Sequence, residues 1–117
     1  MWVNTVILIL SFKTLFLCES VSNKPVGVDI EKVRELDDKV ISFACTGEEY
    51  AYVNEKSLEK EEKLKRFFKI WTFKEAYFKC QGTGINDLKS VSYFDDIINR
   101  FNREESYGEY IISIYNP

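Results

Sequence analysis

One segment governs what this chain can become. From about Ser57 to Cys80 apolar residues recur at helical spacing, with Ser57 as the expected N-cap, glutamate in the first turn and Gly82-Thr83-Gly84 as the stop. On a wheel of about 3.6 residues per turn, Leu64, Phe67, Phe68, Trp71 and Phe78 fall on one apolar stripe. A helix with such a stripe needs a surface to bury it against. With 117 residues the chain has the length of one domain, 1–117, near the lower edge of what builds a good core alone. Its 45% hydrophobic and 30% charged residues are ordinary globular values, and 15% aromatic residues supply bulky core material.

The surface for the helix comes from strands. Asn23-Lys24-Pro25 signals a turn, and Val26-Gly27-Val28-Asp29-Ile30-Glu31 then alternates strictly. Val26, Val28 and Ile30 project to one side; Gly27, Asp29 and Glu31 project to the other. Strands are also expected at Thr5–Leu10, Leu15–Val21, Val91–Phe94, Ile97–Phe101 and Tyr110–Tyr115, with a polar loop containing Gly108 before the last. Residues 32–40 read as a short helix or loop, and Thr46 caps a helix running to Tyr52. The expected fold class is α+β, with a small, largely antiparallel sheet packed on the long helix. The apolar start of the chain admits a secretory signal as well. Lys13 interrupts it, no basic residue precedes it and Leu17-Cys18-Glu19 offers no small-residue cleavage site, so two strands fit residues 1–22 better. No stretch approaches the ~20 apolar residues of a membrane span.

Composition removes several kinds of chemistry. Sixteen Lys+Arg against nineteen Asp+Glu give a net charge of −3, which weighs against a nucleic-acid binder held by phosphate contacts. There is no histidine, so Ser-His and Cys-His catalysis cannot come from this chain alone. Cys18, Cys45 and Cys80 are widely spaced with no CxxC pair, which reads as buried, reduced thiols in a cytoplasmic protein rather than zinc ligands or a disulfide framework. Acid-base or metal chemistry falls to carboxylates and lysines.

Two places carry carboxylates where a plain fold has no need of them. Glu75 sits within the apolar stripe, one turn from Trp71 and one from Lys79, with Lys74 and Lys79 on the stripe's edges. It is either half of a surface Glu75–Lys79 pair or a buried carboxylate compensated for a purpose. Asp29 and Glu31 share one strand face at roughly 6–7 Å. That face is either solvated or shares a cation, and Gly27 beside it admits a close backbone approach. Together Asp29, Glu31 and Glu75 suit a hard cation such as Mg²⁺ that shares its coordination with substrate phosphates, with Lys74 and Lys79 available as point charges.

The segment Val26–Glu31, followed by Phe68-Lys69-Ile70-Trp71-Thr72-Phe73-Lys74-Glu75-Ala76-Tyr77-Phe78-Lys79 and Gly82-Thr83-Gly84, resembles the 4'-phosphopantetheinyl transferases. The likeness is to the surfactin-synthetase-activating type, whose signatures are a GxDxE strand and a WxxKExxxKxxGxG helix end. It covers residues 24–84. The resemblance implies transfer of the phosphopantetheine arm of coenzyme A to a serine of an acyl or peptidyl carrier protein. By matching positions, Asp29, Glu31 and Glu75 are the implied Mg²⁺ ligands. Lys79 is implied to contact phosphate and Lys74 to support the same pocket, while Trp71 packs the helix behind it and Glu75 accepts the serine proton. It also implies carrier contact somewhere between Phe43 and Phe68, where Lys60, Lys63, Lys65, Arg66 and Lys69 alternate with glutamates. Two departures qualify it. Where the family type carries Ser-His-Ser, this chain has Ser11-Phe12-Lys13, and it matches only the C-terminal of the type's two similar halves. The expected enzyme therefore works as a homo-oligomer, as the one-domain acyl-carrier-protein synthases do, or with a missing N-terminal half. The alternative is a non-catalytic half-domain that binds a carrier protein without competent coenzyme A binding.

Overall fold

The long helix, α3, runs Lys60–Gln81 and is buried over much more than one stripe: Phe67, Phe68, Ile70, Phe73, Ala76 and Phe78 are all enclosed, while Trp71 is half-buried. Its end is where the sequence puts it. Gly82 takes φ 71°, a left-handed conformation that costs glycine little, and its N–H closes on the Phe78 and Lys79 carbonyls. Its start is later than expected. Glu59, not Ser57, is the N-cap and makes no side-chain cap bond, while the Ser57 hydroxyl donates to Glu55. The computed structural model describes residues 4–9, 15–20, 25–84 and 87–117.

Before α3 come β1 (Asn4–Ile9), β2 (Leu15–Ser20), β3 (Gly27–Lys32), α1 (Asp38–Ala44) and α2 (Gly47–Val53). β1 and β2 pair antiparallel, from Asn4 opposite Ser20 to Ile9 opposite Leu15. Leu10, Val21 and the whole Ser11-Phe12-Lys13 element lie outside the described residues. Thr46 caps α2 as its sequence indicates, in a reciprocal box: its hydroxyl accepts from the Glu49 N–H at 3.2 Å while its own N–H donates to Glu49 Oε1 at 2.7 Å.

After α3 the expected strands need correction. Val91–Phe94 forms no strand, and Ile97–Phe101 begins as a helical turn, α4 (Asp96–Asn99). The β-branched isoleucines favour a strand, but the Asp95 carboxylate caps the N–H groups of Ile97 and Ile98 and decides otherwise. The strand is β4 (Asn102–Tyr107), whose mostly exposed, charged residues give no apolar alternation to detect. A turn at Gly108, φ 58°, leads into β5 (Tyr110–Tyr115).

β3, β5 and β4 form an antiparallel sheet in that order, so the fold is α+β as expected. In the β3–β5 register Gly27, Asp29 and Glu31 stand opposite Tyr115, Ser113 and Ile111. This is the face that α3 covers: Thr72 and Ser113 share a hydroxyl bond at 3.0 Å, and the Tyr77 ring meets Tyr115 edge-on. Val28, Ile30 and Ile112 cluster on the opposite face. The alternation of β3 is therefore real, but both of its sides are buried, and the polar one is the side packed on α3. Cys45 and Cys80 are buried free thiols. Among the described residues no helix is long and apolar enough to cross a membrane.

Candidate active site

The site begins with a missing side chain. A Cβ on Gly27 would lie 1.7 Å from the Ala76 carbonyl oxygen of α3, so only glycine lets the helix come this close to β3. That approach places the residues after Gly27 against the last two turns of α3, where Glu75 and Lys79 project.

Asp29 is 3% exposed. Its Oδ1 accepts from Lys79 Nζ at 2.8 Å, and its Oδ2 has no partner among the described residues. A solvated strand face is thus excluded for this carboxylate. Burial pushes its pKa from 3.8 up to about 7; Lys79 opposes that rise, and the charges of Glu31 and Glu75 add to it. Glu31 is buried too and accepts from Arg34 at 3.1 Å. Arg34 in turn lies 4.9 Å over the Phe68 ring and donates to the Lys32 carbonyl. Glu75 is half-buried, and burial raises its pKa above the ordinary carboxylate value, with Lys79 pulling against it and Glu31 adding to the rise. Asp29, Glu31, Glu75 and Lys79 therefore form one electrostatic neighbourhood. Lys79 is the most accessible of the four, with 41% of its side chain exposed.

Lys74 is elsewhere. Its ammonium is completely buried and donates to Glu49 Oε1 at 2.6 Å, the Ala44 carbonyl at 2.8 Å and the Leu88 carbonyl at 2.7 Å. All three donors of the ammonium are used, so it has none left for a phosphate. The expectation that Lys74 offers its charge to bound phosphates as a cofactor-binding residue is corrected on that ground; Lys74 fastens α3 to α1, to α2 and to the segment after α3. Its partner Glu49 was not anticipated as a functional side chain. Glu49 also accepts from the Thr46 and Tyr93 N–H groups, tying three segments together from full burial. The Thr46-x-x-Glu49 spacing signals the cap, but nothing local signals the lysine far down the chain. Trp71 stacks on Phe67 with ring centres 6.2 Å apart, part of the packing behind the site.

Three of the basic residues at the start of α3 have carboxylate partners. Lys60 pairs with Glu35, Lys65 with Glu61, and Arg66 with Glu55 while lying over the Tyr52 ring. Such pairs describe a solvated helix face.

The carboxylates around Asp29 offer oxygen donors, and one buried carboxylate oxygen lacks a partner among the described residues. Those two properties fit a hard divalent cation such as Mg²⁺. Among the described residues no three acidic, histidine or cysteine side chains are already drawn up to enclose a metal ion.

Comparison with known proteins gives a consistent picture. The 4'-phosphopantetheinyl transferase superfamily matches residues 25–113. The chain is 36% identical over 103 residues to 4'-phosphopantetheinyl transferase gsp of Aneurinibacillus migulanus, covering 84% of this chain and 40% of that protein. It is 35% identical over 81 residues to HetI of Nostoc sp., covering 68% and 33% respectively, and 28% identical over 64 residues to Sfp of Bacillus subtilis, covering 55% and 28%. The chain thus spans between 28% and 40% of the length of these relatives.

Proposed function

The chain belongs to the 4'-phosphopantetheinyl transferase superfamily, and from that membership we propose that it serves transfer of the 4'-phosphopantetheine group of coenzyme A to a serine hydroxyl of an acyl or peptidyl carrier protein. The observation that carries this reading is the convergence of Asp29 and Glu31 from β3 with Glu75 and Lys79 from α3 across the Gly27 contact. Asp29, Glu31 and Glu75 would hold Mg²⁺. The ion, when bound, neutralises charge on the coenzyme A pyrophosphate.

The chain's own residues have separable tasks. Lys79, flexible and partly exposed, presents an ammonium to the substrate's phosphates. Glu75, held above the usual carboxylate range by burial, accepts the serine proton directly or through an oriented water. The serine oxygen then bonds to the phosphorus next to the pantetheine arm as the pyrophosphate P–O bond breaks, and adenosine 3',5'-bisphosphate leaves with the displaced oxygen. Lys74 and Glu49 keep α3 in register, so that Glu75 and Lys79 stay opposite β3. We assign this work to a single domain, 1–117, acting in the cytoplasm as a homo-oligomer or together with a complementary half.

The test is transfer itself: the chain, coenzyme A, Mg²⁺ and an unmodified carrier protein, read by the carrier's mass. Glu75→Gln is expected to abolish transfer while leaving urea unfolding intact, and retained transfer removes Glu75 from the mechanism. The second reading is a half-domain that binds carrier protein without binding coenzyme A. Calorimetric titration of coenzyme A with Mg²⁺ or with EDTA, alongside mass in solution, separates the two. Mg²⁺-dependent binding by an oligomer supports the enzyme; no binding by a folded monomer supports the half-domain.

A further inference from the structure

Lys79 stands where a cation is needed, on a side chain that can leave. Its ammonium reaches from α3 to β3, 2.8 Å from Asp29 Oδ1 and 3.3 Å from the Val28 carbonyl. It answers the charge of Asp29 and of Glu75, while Glu31 has Arg34. Without that ammonium, buried Asp29 would face two further carboxylates with one oxygen unpartnered and the other deprived of its donor. Unlike the sealed ammonium of Lys74, this one is carried on a partly exposed four-carbon stem with an open path to water. A divalent cation bound to Asp29 would repel an ammonium held on the same carboxylate, so the two compete for one position.

We infer that Lys79 is an exchangeable counter-ion. It occupies Asp29 when no divalent cation is present, yields the carboxylate when one arrives, and is thereby released toward the anionic phosphates of the substrate. This rests on reading Asp29, Glu31 and Glu75 as a divalent-cation site. The consequence is coupling. Metal binding alone displaces an ammonium that then has no partner, whereas metal binding with a phosphate ligand gives it one. Each ligand therefore strengthens binding of the other, and by thermodynamic linkage the factor is the same in both directions.

The test uses Mn²⁺ alone as a paramagnetic hard cation, titrated into the full chain and read by loss of the free-ion resonance signal. Lys79→Met and Lys79→Gln remove the competing charge and are expected to bind Mn²⁺ about tenfold more tightly than the wild type, the size expected for one partly solvated unit charge. Lys79→Arg keeps the charge and is expected to bind as weakly as the wild type. Two neutral variants of different shape guard against one of them failing to fold, which circular dichroism reports. If Lys79 is only a strut holding α3 to β3, both neutral variants will bind Mn²⁺ equally or more weakly, and the exchange is overturned while the metal site stands. That the signal comes from this site is checked by Asp29→Asn, which should lose binding. Absence of Mn²⁺ binding in every form, wild type included, overturns both the exchange and the cation site beneath it.

Discussion

Lys74 and Lys79 leave the same helix a turn and a half apart, and each finds a carboxylate from another element. Around Lys74 every donor is used, every neighbour is buried, and Glu49 spends its oxygens on two backbone N–H groups as well. Around Lys79 the ammonium is partly exposed, the carboxylate keeps an oxygen with no partner among the described residues, and two more acidic groups press on the same space. A satisfied buried pair fixes one arrangement. A half-satisfied pair at the rim of the protein leaves room for something to be added.

The sharpest way to break this contrast is to remove each cation in turn. Lys74→Met leaves Glu49 charged and buried with no cation, and should cost about 3–5 kcal/mol of stability by urea unfolding, the range for orphaning one member of a buried pair. A loss under ~1 kcal/mol, the surface-pair range, would mean that the clamp is not held by charge. Gly27→Ala comes next. A methyl group at that position meets the Ala76 carbonyl and forces α3 off β3, at about 1–3 kcal/mol for an overpacked site. It should spread the Asp29–Lys79 contact while leaving Lys74–Glu49 closed, so Mn²⁺ binding falls further than stability does. Gly47→Ala is the control, since nothing stands within 4 Å of a Cβ there.

How far the molecule could be read from its residues follows the same division between local and distant causes. The end of α3 at Gly82, the Thr46 cap and the alternation of β3 are local properties, and they are visible in the chain. That both sides of β3 are buried, and which of them α3 covers, is not local. Asp29 and Glu31 look like a solvent side until Gly27 is known to admit a helix, and the Thr72–Ser113 bond, with Lys79 on Asp29 and Arg34 on Glu31, explains how a polar face is buried. The misplaced strand after α3 has an equally specific cause, a single aspartate cap overriding two β-branched residues. For the site, the sequence offers the carboxylates and lysines but cannot tell Lys74 from Lys79. Glu49 and the Ala44 and Leu88 carbonyls, all remote in sequence, make that distinction.

Acid titration sharpens the comparison from the Asp29 side. The folded pKa of Asp29 lies near 7 against an ordinary 3.8, so between roughly pH 4 and pH 7 the native chain keeps a proton that the unfolded chain has lost. Stability from this group is present at the acid end of that window and declines as pH rises through it. Lys79, Glu31 and Glu75 are the charged groups facing it, and Asp29→Asn should flatten that part of the metal-free stability curve. A slope that survives in Asp29→Asn would assign the effect to Glu75, whose pKa burial also raises.

The smallest expected effect tests the contrast most directly. Lys79→Met removes a pair as short as many buried ones, yet stability should fall by only about 1–2 kcal/mol, because water screens the partly exposed ammonium and offsets part of the cost of leaving buried Asp29 without its donor. The loss shrinks further at acid pH, where Asp29 is protonated and has less need of a cation. Urea unfolding at pH 5 and pH 8 separates the two cases. A loss confined to the higher pH fits a lysine that answers the Asp29 charge and little else. A loss above ~3 kcal/mol at both would place Lys79 with Lys74, as a second structural clamp, since only a pair that cannot be resolvated is so costly to break.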